Sequence, residues 1–164
     1  WLGAPLQPTG NPMQDAVGPA AYAEREDKPE LTLDGRPLIV PMRVETGATV
    51  AAEDADPRGM TVIGADGRSG GTVQDLWIDR SEPQIRYLEV AVADGRSVLL
   101  PMTLALIQAA KRQVKVSSVL GSQVAGAPMI ASPDQVTKLE EDRICAYFAS
   151  GHLYATPARQ EPLL

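Results

Sequence analysis

Three Asp-Gly pairs constrain the fold of this chain more than any other feature. Asp34-Gly35 lies between Leu31-Thr-Leu33 and Leu38-Ile-Val40, Asp66-Gly67 between the runs 60–63 and 73–78, and Asp94-Gly95 between the runs 88–92 and 98–100. Asp-Gly accepts the positive φ values that tight hairpins need, which makes it the strongest short-range hairpin signal. Short apolar strands with turns at this spacing indicate an antiparallel meander that closes into a small barrel or sandwich. A further loop at Asp54–Gly59 carries two acids, but not at the spacing of an EF-hand loop, and Pro57 favours a plain turn.

The central hairpin is the stretch Gly71–Val92. Its first strand carries Val73, Leu76, Trp77 and Ile78, and its second Ile85, Tyr87, Leu88, Val90 and Val92. Such β-branched and aromatic residues suit a half-buried pleated surface. The join is polar and contains Pro83, which cannot donate to a ladder, so the chain turns there. Asp79, Glu82 and Arg86 then gather at one end of the hairpin. Two acids and one base beside apolar strands can trade protons and stabilise a nearby anion. They can equally form an ordinary solvated turn, the reading spacing alone favours, because exposed ion pairs are common and weak.

Residues 1–30 hold Pro5, Pro8, Pro12, Pro19 and Pro29 among several glycines. No helical or strand period survives that density of breakers. The stretch is either disordered or an extended arm held against a larger partner, and Trp1, Leu2, Leu6, Met13, Val17 and Tyr22 suit an arm. Thr103–Ala110 is read as a strand running into a turn at Lys111–Arg112, and 121–128 as a loop. Ser132-Pro133-Asp134-Gln135 reads as a helix start, with the helix running to about Ala149 and stopping at Gly151. Its apolar stripe is Val136, Leu139, Ile144, Ala146, Tyr147 and Phe148. Glu140-Glu141-Asp142 reads as a solvated face and Cys145 as a small core residue.

Composition closes several routes. A net charge of −6 over 164 residues argues against nucleic acid as a partner, since phosphate neutralisation needs a basic face. One cysteine, Cys145, excludes an internal disulfide and a thiolate-rich metal site. One histidine, His152, excludes zinc chemistry built on several imidazoles. No apolar run approaches the roughly 20 residues of a membrane span, and no signal peptide is recognisable. There is no Gly-rich phosphate loop, nucleophile elbow or histidine-based catalytic pair. The residues by themselves give a mainly β domain with an irregular arm, one C-terminal helix and no enzyme signature.

Several spaced motifs carry a resemblance. They are Ala4–Pro12, Val17-Gly-Pro-Ala20, Asp56-Pro-Arg-Gly59, Asp75-Leu-Trp-Ile-Asp79, Arg86-Tyr-Leu-Glu-Val90, Leu100-Pro101, Leu139–Tyr147 and Leu153–Pro157. In these the chain resembles the cytoplasmic region of the H subunits of purple-bacterial photosynthetic reaction centres, the founding members of the PRC-barrel family. The resemblance implies a small antiparallel PRC-type barrel over 31–131, with an extended Pro-rich arm over 1–30 and a C-terminal helix and tail over 132–164. It implies a non-catalytic subunit that caps the L and M subunits and helps deliver protons to the secondary quinone. No cofactor is expected on the chain itself; bacteriochlorophyll, bacteriopheophytin, quinone and non-haem iron are expected in the partner subunits. Light-harvesting polypeptides, a cytochrome subunit and lipids are further expected neighbours. The expected location is the cytoplasmic face of the photosynthetic inner membrane, with the family's membrane helix expected ahead of Trp1, on a preceding segment or a separate chain.

The family's acidic proton-transfer residue falls on Glu82, its acid partner on Asp79 and the nearby arginine on Arg86. Where some relatives place histidines at a proton entrance, the stretch Leu31–Met42 has none, and Asp34 is the substitute acceptor. Two alternatives stand beside this reading. One is a free-standing PRC-barrel adaptor that binds another protein; the other is an enzyme using Asp79 and Glu82 as an acid/base pair.

Overall fold

The computed structural model describes residues 7–160. It is mainly β, with β1 Ile39–Pro41, β2 Thr61–Ile63, β3 Ser69–Asp79, β4 Gln84–Ala91, β5 Ser97–Pro101, β6 Ala105–Gln108 and β7 Gln113–Val116. Helix α1 spans Gly121–Val124 and α2 spans Lys138–Tyr154. All seven strands belong to one sheet in the order β5-β4-β3-β2-β7-β6, with β1 also on β3. The 11-residue strand β3 is its spine. Along one edge it pairs with β4 over its length. Along the other it pairs with β2 near its start and with β1 near its end. The β2–β7 pair is parallel and the other ladders are antiparallel. No ladder joins β5 to β6, so the sheet is open where a closed barrel was expected.

All three Asp-Gly pairs turn the chain. Gly35, Gly67 and Gly95 sit at φ of 80°, 74° and 84°, a region costly for any residue with a Cβ. In each turn the glycine N–H donates to the carbonyl three residues before it. Two turns make full hairpins, β2–β3 and β4–β5, while the first closes only a single bridge between Leu31 and Pro37. An arginine follows each pair and its N–H groups return to the aspartate: Arg36 Nε to Asp34 at 2.6 Å, Arg68 N to Asp66 at 3.3 Å, Arg96 Nε to Asp94 at 2.7 Å.

The core runs along the spine and its neighbours: Leu76, Trp77, Leu88, Leu99, Leu100 and Val90 are at most 1 % exposed, as are Ile144 and Phe148 from α2. The helix differs from its expected limits. Its N-cap is Thr137, whose Oγ1 accepts the Glu140 N–H, while the Glu140 carboxylate accepts the Thr137 N–H. This reciprocal cap outcompetes the Ser132-Pro133 start, because Pro133 instead offers its carbonyl to Arg43. The helix also runs through Gly151 to Tyr154, and 121–124 is a helical turn rather than a loop. Of the strand expected over 103–110, Ala105–Gln108 forms β6 between two 3₁₀ turns, and the expected turn at Lys111–Arg112 is present, with Arg112 left-handed at φ 51°.

Within the arm, the described residues 7–30 lie largely on the chain's own surface. Met13 and Ala20 are buried, and the 3₁₀ turn Gly18–Ala20 packs on α2. Gln14 donates to the Gly126 carbonyl at 2.9 Å, Lys138 N to the Lys28 carbonyl at 3.0 Å, and Pro29 bridges Thr137. The arm's backbone is thus satisfied in part from within. Trp1, Leu2, Leu6 and Pro162 lie outside the described residues.

Candidate functional site

Asp79 closes β3 and does two jobs. Its Oδ1 accepts the N–H groups of Ser81 and Glu82 at 2.8 and 3.2 Å, which holds the β3–β4 turn shut. Its Oδ2 faces Arg86 Nη1 at 3.4 Å. Asp79 is buried, while Glu82 and Arg86 are exposed. The turn is anchored from β1 as well: Arg80 donates its backbone N–H to the Leu38 carbonyl and its Nε to Glu45 at 2.6 Å.

Arg86 owes its direction to a bulge. Ile78 faces Ile85 and Trp77 faces Tyr87, so Arg86 is the extra residue on β4. A bulge re-aims the side chain that it displaces from the pleat. The guanidinium lies between Asp79 and a second acid, Glu141 of α2, whose Oε1 is 4.0 Å from Arg86 Nη2. Glu141 Oε1 also accepts the Tyr87 hydroxyl at 2.7 Å, and that hydroxyl lies 3.8 Å from Cys145 Sγ. Burial pushes the Glu141 carboxyl above its ordinary value. The Tyr87 hydrogen bond, Arg86 and Arg25 oppose the rise, and Glu30 adds to it. Burial also pushes the Tyr87 hydroxyl and the Cys145 thiol upward, so both stay protonated and act as neutral neighbours. Asp34 stands apart on its own exposed turn. The Thr32 hydroxyl and then Arg36 hold its carboxyl below the usual range.

A second polar cluster occupies the same hairpin. Here Gln74 is the bulged residue, and Asp75 faces Glu89 directly across the ladder. Like charges in that position repel. Arg43 resolves the conflict with one nitrogen, Nη1, at 3.0 Å from Asp75 and 2.6 Å from Glu89. Trp77 Nε1 and Gln74 Nε2 add hydrogen bonds to Glu89 at 2.8 and 2.5 Å. Burial pushes the Glu89 carboxyl up, but these three donors outweigh it and hold it below the ordinary value. The cluster lines an open cleft of about 490 Å³ together with Met42, Ala48 and Arg58.

Residues 1–44 match the family described as photosynthetic reaction centre, H-chain N-terminal region. Residues 50–122 match the PRC-barrel domain. Two independent matches in the order arm then barrel decide the matter. The chain is a reaction-centre H-subunit-like protein. Among the described residues of this H-like chain, no helix is long and apolar enough to cross a membrane, and no group of three or more His, Cys, Asp or Glu is arranged to hold a metal ion.

The structure thus brings Asp79 and Arg86 together, puts Glu82 beside them on the turn and leaves Asp34 separate. It corrects two readings of the helix. Cys145 is exposed as a residue, with only its thiol desolvated beside the Tyr87 hydroxyl, rather than core, and Glu140 and Glu141 are buried rather than solvated. Glu141 was legible: it lies three residues before Ile144 and seven before Phe148, on one helical face with both. Glu89 was legible in the same way, since strand alternation puts it on the face of Tyr87. Arg43 had no local signal.

Proposed function

We propose that this H-like chain caps the L and M subunits of a photosynthetic reaction centre on their cytoplasmic side and helps conduct protons to the secondary quinone. Membership among reaction-centre H chains carries the association with other reaction-centre subunits and with a membrane-bound complex. The finer assignment rests chiefly on one observation: a buried carboxylate, Asp79, faces a bulge-directed arginine, Arg86, beside an exposed carboxylate, Glu82, on one tight turn.

In this reading Glu82 is the group that exchanges protons with water. Asp79 fixes the turn that presents it and holds the arginine. Arg86 sets the local potential, stabilising the charged form of either acid. A partner subunit covering the turn takes Glu82 out of bulk water and leaves Arg86 as its neighbouring charge. Asp34 belongs in this scheme as an acceptor on a turn of its own. In this reading the chain itself holds no cofactor, and bacteriochlorophyll, bacteriopheophytin, quinone and non-haem iron belong to the partner subunits. The free-standing adaptor reading has no use for residues 1–44, which match an H chain.

The test is Glu82→Gln in the assembled reaction centre. The second, proton-coupled electron transfer to the secondary quinone should slow while the complex stays intact. An unchanged rate would remove Glu82 from the route.

A further inference from the structure

The relay as proposed uses Asp79, Glu82 and Arg86, and leaves unexplained a buried carboxylate aimed at the same guanidinium. Glu141 projects from α2 toward the strand that carries Arg86. Its side chain retains 10 % of its surface, and its Oε1 receives the Tyr87 hydroxyl at 2.7 Å. The two acids lie on either side of Arg86, at 3.4 Å from Asp79 and 4.0 Å from Glu141. One cation is thus shared by two largely buried carboxylates. Protonating Glu141 leaves the guanidinium to Asp79, and deprotonating it restores the competition.

We propose that Glu141 is a further proton-holding carboxylate of this relay, coupled to Asp79 through the single guanidinium of Arg86. The inference rests on the relay reading given above. The surroundings of Glu141 fit a group that changes charge rather than a permanent ion pair. From β4 it faces Arg86 and Tyr87. Along α2, Cys145 shares the Tyr87 hydroxyl, and Asp142 is occupied by Arg25 of the arm at 3.4 Å. From the arm, Glu30 and Arg25 act on it with opposite signs. The other strand next to α2 is β5, which contributes no charged residue. Among the described residues no cation sits closer to Glu141 than Arg86 at 4.0 Å, so its proton affinity stays high and a proton is held there at low cost. Compare Glu89, where Arg43 stands at 2.6 Å and holds the carboxylate charged.

The tests separate the coupling from the relay. In the chain itself, a carboxyl-carbon NMR titration should place Glu141 above the ordinary glutamate range. Arg86→Gln should move it further up, and Tyr87→Phe should do the same by removing a donor. A Glu141 signal in the ordinary range, or one blind to both substitutions, would overturn the proposal. In the assembled reaction centre, Glu141→Gln should remove one step from the pH profile of the second electron transfer and move the remaining step by about one pK unit. It should also remove a protonated-carboxyl band from the light-minus-dark infrared difference spectrum. If Glu82→Gln slows the reaction but Glu141→Gln leaves profile and spectrum unchanged, the relay stands and Glu141 is not part of it. If Glu82→Gln has no effect, the relay reading fails and takes this role for Glu141 with it, whatever the titration shows. Should Glu141→Gln fail to assemble, Tyr87→Phe carries the same reaction-centre test, with the profile expected to move toward higher pH and an unmoved profile counting against the proposal.

Discussion

Asp75 and Glu89 face each other across the β3–β4 ladder, and one nitrogen of Arg43 lies within hydrogen-bonding distance of both. Two buried acids therefore depend on one cation contributed by the segment that follows β1. The sheet is locked by charge at a point where strand pairing alone would be repulsive.

Arg43→Met tests that lock. Removing one partner of a buried ion pair costs about 3–5 kcal/mol, since the other is left uncompensated. The Arg43 side chain keeps 40 % of its surface exposed, so water takes over part of its role. We expect a loss of about 2–3 kcal/mol by urea denaturation at pH 7. A loss within about 0.5 kcal/mol, the level of a surface pair, would show that the cluster is not a lock.

The same cluster gives a pH dependence of known sign. The Glu89 carboxyl lies below its ordinary value in the folded chain. Its contribution is therefore present above the ordinary glutamate range and is lost as pH falls through the lowered folded value. Glu141 has the opposite shift. Its contribution is present below the ordinary range and is lost as pH rises through the raised folded value. Glu89→Gln should thus cost most at neutral pH and least in acid, whereas Glu141→Gln should cost most in acid and least at high pH. Unfolding curves across pH 3–9 would expose parallel losses, which would contradict both assignments.

The start of α2 offers a third test. Thr137→Ala removes an N-cap acceptor and should cost about 1 kcal/mol. Glu140→Ala should cost more, because Glu140 also accepts the Ala131 N–H at 2.7 Å and anchors the preceding loop. Equal losses from the two substitutions would mean that the loop contact contributes nothing.

Gly151→Ala sets two effects against each other. Within a helix, alanine is favoured over glycine by about 1 kcal/mol. Here the added methyl would meet the Ser118 carbonyl oxygen and the Val119 side chain at 2.7 Å. Backbone cannot yield as a flexible side chain can, so we expect net destabilisation, read as a lower thermal midpoint. A stabilised variant would show that α2 and the segment after β7 are free to separate.

The hairpins were legible because Asp-Gly turns and alternating apolar runs are local signals, and both the spine of the sheet and the Asp79–Arg86 turn followed from them. The limits of α2 were not. Ser132-Pro133 has the chemistry of a helix start, yet Thr137 wins because Glu140 can close a reciprocal cap there and Pro133 is engaged by Arg43, 90 residues away. The buried polar groups were obscured for a related reason. Glu140 and Glu141 sit in a charged run that reads as solvated, and only their spacing to Ile144 and Phe148 marks them as inward. Arg43 owes its importance to residues 32 and 46 positions further along the chain, and no local pattern encodes that.

The arm meets partners that are remote in sequence: Gln14 with Gly126, Arg25 with Asp142, Glu26 with Lys138 and Asp27 with Thr137, at separations of 110–117 residues. During synthesis the arm leaves the ribosome before these partners do. Non-local contacts of this kind form late, and those of Arg25 and Glu26 have no second half until α2 has been made. A chain that stops before Lys138 keeps the partners of Gln14 and Asp27 but lacks those of Arg25 and Glu26. Closure of the Arg25 and Glu26 contacts thus requires that translation has reached α2, and a protease reading an exposed arm would sort chains that hold α2 from chains cut short of it.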